Sequence, residues 1–126
     1  MIVGFVEEEG GGLFPYMDVI VRGPAGREIC VTALIDTGFN AYISLPRRMV
    51  NDLGLTRLGT DDVILANAER DAAELFLGEV NWRSSRHNVP VHQIGDEPAV
   101  GTALLRQHNL SIEFVRDGAV HAVSIN

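Results

Sequence analysis

Apolar and polar positions alternate along this chain in short blocks. Turn residues break the blocks every ~8–12 residues, the spacing of hairpins rather than of helices. Ile2 to Val6 reads as a first strand, followed by a loop, Glu7-Glu8-Glu9-Gly10-Gly11-Gly12. Tyr16 to Arg22 alternates and is β-branched. Gly23-Pro24-Ala25-Gly26 is a turn signal, and Arg27 to Ile35 returns as a strand. Ala41 to Leu45 predicts a short strand. Pro46 then opens a helical turn over Arg47 to Leu53, capped near Ser44 or Leu45 and closed by Gly54. Val63 to Ala66 and Ala73 to Leu77 flank a polar tip, Asn67 to Asp71. Leu75 to Trp82 and His87 to Ile94 predict a second hairpin around Arg83-Ser84-Ser85-Arg86. Beyond the loop Gly95 to Pro98, Ala99-Val100 is a very short apolar piece and Gly101 to His108 reads as a second short helix. Leu110 to Val115 and Val120 to Ile125 close the chain as strands around Asp117-Gly118. The expectation is an all-β barrel or sandwich with one or two short helices.

Composition narrows the class. At 126 residues the chain, 1–126, is one domain. A hydrophobic content of 46% and a mean hydropathy of +0.11 fit an ordered globular chain. No apolar run approaches the ~20 residues of a membrane span. The first residues lack a basic stretch and run into Glu7-Glu8-Glu9, which does not read as a signal peptide. The single cysteine, Cys30, leaves no internal disulfide and suits a reducing cytoplasm. Its strand context predicts a buried thiol acting as a small hydrophobe. A formal net charge of −7, with no Lys/Arg stripe, disfavours nucleic acid and anionic membrane as partners. The cluster Arg83 to His87 reads as a solvated turn. Gly10-Gly11-Gly12 has no Lys-Ser/Thr and no helix after it, so it does not read as a phosphate loop.

The candidate chemistry lies in Ala33-Leu34-Ile35-Asp36-Thr37-Gly38. An apolar strand runs straight into a carboxylate, which is costly to bury unpaired. Thr37 adds a hydroxyl able to bond backbone, and Gly38 removes the Cβ that would obstruct close approach. Ile-Asp-Thr-Gly resembles the active-site motif of the retropepsin-like aspartic proteases, the single-domain branch that includes the retroviral proteases. Pro98-Ala99-Val100-Gly101-Thr102-Ala103-Leu104-Leu105 resembles that family's second signature. There the glycine lets two chain segments cross. The polar tip at Asn67 to Arg70 stands where the family has its flap. The resemblance runs from about Tyr16 to Ile125, and the small prokaryotic members with an Asp-Thr-Gly-Phe motif are the most similar.

The resemblance implies a closed acid-protease β-barrel with one half-site per chain. Aspartic proteolysis needs two carboxylates across a water, sharing one proton. This chain has one Asp-Thr-Gly, and Asp117-Gly118 lacks both the Thr and the apolar lead-in. The implied species is a C2 homodimer in which each chain supplies Asp36, Thr37 and Gly38. Phe39, Asn67, Ala68 and Val100 would contact a polypeptide substrate in a site lined by Phe39, Ile64 and Val100. No cofactor is called for. His87, His92, His108 and His121 have no metal-ligand spacing, and His87 and His92 fall on opposite faces of a strand. Trp82 reads as a core or edge anchor. Two features depart from the family: Phe39 is bulky and lacks a hydroxyl, and Asn67-Ala68-Glu69-Arg70 has no glycine. They keep open a second reading, a dimerisation or peptide-binding module with little or no hydrolysis.

Overall fold

The computed structural model describes residues 1–64 and 69–125. It is all-β apart from one short helix. Strand β1 (Ile2–Glu9) pairs antiparallel with β2 (Gly12–Arg22), Glu9 opposite Gly12. The expected six-residue loop is therefore a two-residue turn. Gly10 and Gly11 sit at φ +57° and +82°, the left-handed values a tight hairpin turn requires at both central positions. Glycine adopts them without strain, so the ladder extends through the three glutamates.

β3 (Glu28–Ile35) returns beside β2 from Arg22 opposite Glu28 to Tyr16 opposite Leu34. Its alternation turns Val31, Ala33 and Ile35 inward and Cys30 and Thr32 outward. Cys30 is exposed, contrary to expectation, because its position in the period-2 register belongs to the outer face.

β4 (Ile43–Leu45) is fully buried and leads into α1 (Arg47–Leu53). The helix keeps its predicted bounds and ends at Gly54, which is left-handed at φ 62°, ψ 38°. Pro46, rather than Ser44 or Leu45, is its N-cap, and the Pro46 carbonyl accepts from the N–H groups of Met49 and Val50.

β5 (Thr56–Ile64) and β6 (Arg70–Trp82) form a long hairpin, and β6 continues into a second one with β7 (Ser85–Gln93). One thirteen-residue strand thus replaces two expected pieces. The turn between β6 and β7 is Arg83-Ser84 alone, at φ 54° and 63°. Leu65 to Ala68, including the expected flap residues Asn67 and Ala68, lie outside the described residues.

β8 (Ala99–Val100) runs parallel to β3 and antiparallel to β4. The helix expected over Gly101 to His108 is instead a run of turns. Leu104 and Leu105 plug into the core, and Gln107 at φ 60° reverses the chain. The N–H groups of Gly101, Thr102 and Ala103 bond across to Tyr42, Phe39 and Ala41, and the left-handed Gln107 ends the segment before a helical ladder builds. β9 (His108–Ile112) and β10 (Ala119–Ser124) close the chain. β9 stops before the predicted Val115, and Phe114 and Val115 are exposed. Gly118 turns the connection where a Cβ would fall 1.9 Å from the Glu113 carbonyl oxygen.

The strands form one sheet in the order β5-β6-β7-β4-β8-β3-β2-β1-β10-β9, and β6 also pairs with β2 through Val21–Val80 and Arg22–Glu79. That pairing closes a ring: β6-β7-β4-β8-β3-β2. One core fills it, with Met17, Val21, Ile43, Leu45, Val80, Val91 and Val100 wholly removed from solvent. Trp82 belongs to this core, as its sequence position predicts.

Candidate functional site

The end of β3 changes from buried Ile35 to exposed Asp36 within one residue. The Asp36 N–H donates to the Val100 carbonyl at 2.9 Å, so β8 fixes the backbone that carries the carboxylate. The carboxylate is held too: its Oδ1 accepts from the Gly38 N–H at 2.9 Å. The Phe39 N–H closes the turn on the Asp36 carbonyl at 3.1 Å. A Cβ on Gly38 would stand 3.2 Å from that same Oδ1, so glycine gives the carboxylate room against the backbone. Thr37, at the turn, is exposed.

A second segment locks onto this turn. Gly101 N–H donates to the Tyr42 carbonyl at 3.0 Å, Thr102 N–H to Phe39 at 2.8 Å and Ala103 N–H to Ala41 at 3.1 Å. A Cβ on Gly101 would meet the Ala41 oxygen at 2.2 Å and the Phe39 oxygen at 2.6 Å. β8 thereby passes between β3 and β4, directly behind the Asp36 turn.

In front of the turn is a cavity of about 180 Å³, lined by Asp36, Gly38, Phe39, Ser44, Val63, Ile64, Ile94 and Ala99. Its wall is mainly apolar, with Asp36 its one ionisable group among the described residues. Phe39 and Ile64 line it as the sequence predicts. Val100 does not: its side chain is wholly buried in the core, and Ala99, its neighbour on the opposite face of β8, takes the lining position. Val63 and Ile64 bring the β5–β6 hairpin to the same cavity.

Two residues of this neighbourhood carry no motif and were missed as a pair. His92 on β7 is buried, and its Nε2 lies 2.8 Å from Oδ2 of Asp61 on β5. The hydrogen bond to His92 holds the Asp61 carboxyl below the usual carboxylate range. The His92 ring also stands edge-on to Phe39, with centroids 5.7 Å apart at 89°. The sequence offered only the five-residue spacing of His87 and His92, which puts them on opposite faces of one strand. Further along the hairpin, Arg57 pairs with Glu74 and holds that carboxyl low as well. Among the described residues no three His, Cys, Asp or Glu side chains gather closely enough to hold a metal ion. No helix among them is long and apolar enough to cross a membrane.

Compared with known proteins, the chain matches no family model, no curated protein and no solved structure.

Proposed function

We propose that the chain is one half of a homodimeric, retropepsin-like aspartic endopeptidase of the cytoplasm. The observation that carries this reading is the setting of Asp36: an exposed carboxylate on a hydrogen-bonded turn, at an apolar cavity overhung by a hairpin. Two such turns facing across a two-fold axis would form a carboxylate pair. In this reading the six-stranded ring is the closed acid-protease barrel, and Thr37 bonds the partner's turn. One Asp36 of the pair is ionised and takes a proton from the attacking water. The other is protonated and polarises the scissile carbonyl. The substrate is an extended polypeptide lying beneath the β5–β6 hairpin, with apolar side chains beside Phe39 and Ile64.

One observation favours a second reading. Phe39 lines the same cavity as Asp36, where its bulk leaves less room for a peptide and its water. A peptide-binding or dimerisation module with weak or no hydrolysis fits that crowding. The test is digestion of a denatured protein between about pH 4 and 7, wild type beside Asp36→Asn. Cleavage lost in the variant and blocked by a hydroxyl-bearing peptide isostere supports the protease. No cleavage by a dimeric wild type supports the module.

A further inference from the structure

His92 touches two elements that have no backbone pairing with each other. On one side its Nε2 donates to the Asp61 carboxylate of β5 at 2.8 Å. On the other its ring packs edge-on against Phe39 of the Asp36 turn. The register explains how this bridge forms. Asp61 lies opposite Ala73, and His92 opposite Leu75, so Asp61, Ala73, Leu75 and His92 share one face of the β5–β6–β7 sheet. Asp61 reaches His92 diagonally across β6, over the small Ala73. Only 4% of the His92 side chain is exposed, against 52% for Asp61. The hairpin end of the bridge is therefore open to water and the turn end is shut in. Nδ1 of His92 is buried and has no hydrogen-bond partner among the described residues, so this ring has one directional tie, and it goes to the hairpin.

We propose that His92 is a positioning residue that couples the β5–β6 hairpin to the Asp36 turn: Asp61 pins the hairpin to the ring, and the ring braces Phe39. A hairpin that lifts to admit a substrate must break the Asp61 contact or pull on the ring beneath Phe39. The seated hairpin then fixes the turn that carries the reacting carboxylate. The consequence for catalysis rests on the reading of Asp36 as the reacting group; the mechanical coupling does not.

Two measurements separate these. The first is amide hydrogen exchange in wild type, Asp61→Ala, His92→Gln and His92→Phe. Asp61→Ala is a change at an exposed side chain of β5. It should speed exchange at least about fivefold across residues 56–64, and also at the Phe39 and Gly38 N–H groups. His92→Gln keeps a donor for Asp61 and should protect the hairpin while loosening the turn. His92→Phe keeps an aromatic ring against Phe39 but loses the tie to Asp61, so it should loosen hairpin and turn together, as Asp61→Ala does. If Asp61→Ala loosens the hairpin alone, the coupling is wrong. The second measurement is peptide hydrolysis, in which Asp61→Ala should lower kcat about tenfold beyond any change in KM. An increase in KM with kcat unchanged would reduce His92 to a part of hairpin packing. A wild type that cleaves nothing would sink the protease reading, and the exchange data would still decide the coupling.

Discussion

Gly101 stands where a Cβ would fall 2.2 Å from the carbonyl oxygen of Ala41. The neighbour is backbone, held in turn by the N–H of Ala103, so it cannot yield as a flexible side chain would. Gly101→Ala should therefore cost about 3 kcal/mol, read as a lowered urea midpoint. If Asp36 is the reacting group, the same variant should lose hydrolysis even where it remains folded, because Gly101 backs the Asp36 turn.

Asp36→Asn should leave the fold intact. The side chain is exposed, and the Asn Oδ1 can still accept from the Gly38 N–H. We expect an unchanged urea midpoint and, on the proposed protease reading, hydrolysis reduced by at least about 10³-fold. A variant that keeps wild-type turnover would remove Asp36 from the chemistry.

The Asp36 turn and the crossing behind it were legible in the sequence because their determinants are local. An apolar run ending in Asp36, then Thr37-Gly38, marks a carboxylate on a turn, and Gly101 marks a close crossing. Helix α1 was equally legible from Pro46 and Gly54. Strand β5 was not. Most of Thr56–Ile64 is exposed, and a hairpin standing clear of the core carries no burial period to read. The Asp61–His92 bridge was hidden for a related reason: its partners meet across β6, and no sequence spacing encodes a diagonal over Ala73. Cys30 was misread because a strand's register, not the character of the residue, decides which face it occupies.

That register gives a direct check. Exposed Cys30 should react with a thiol reagent in the native protein at a rate within about threefold of that in urea. Strong native protection in a monomeric sample would contradict the outward face of β3.

Asp61 and Glu74 both hold their carboxyl protons less tightly in the folded chain than carboxylates ordinarily do. Their contribution to stability is thus present above the ordinary carboxylate range and is lost as pH falls through the lowered folded values. The difference in urea midpoint between wild type and Asp61→Ala should be clear at neutral pH and vanish in strong acid. A constant difference across that range would mean that Asp61 acts by packing rather than by charge.

If two chains share the site, specific activity should rise with enzyme concentration near the dimer dissociation constant. It should also be greater in mild acid, where two chains of formal charge −7 repel each other less. Activity strictly proportional to concentration, with a monomer on sizing, would overturn the shared site.

The ring is sealed where Val21 meets Val80, residues far apart along the chain, by only two opposed pairs. The flanking hairpins can assemble early, since each needs only a short turn. The seal cannot, because it must first close a long loop and recovers little for doing so. Refolding should accordingly be slow for a chain of this length. Its late barrier should respond to substitutions at Val21 and Val80 more than to those in the Gly10-Gly11 hairpin, and the nearly closed chain would be the species most exposed to misassembly.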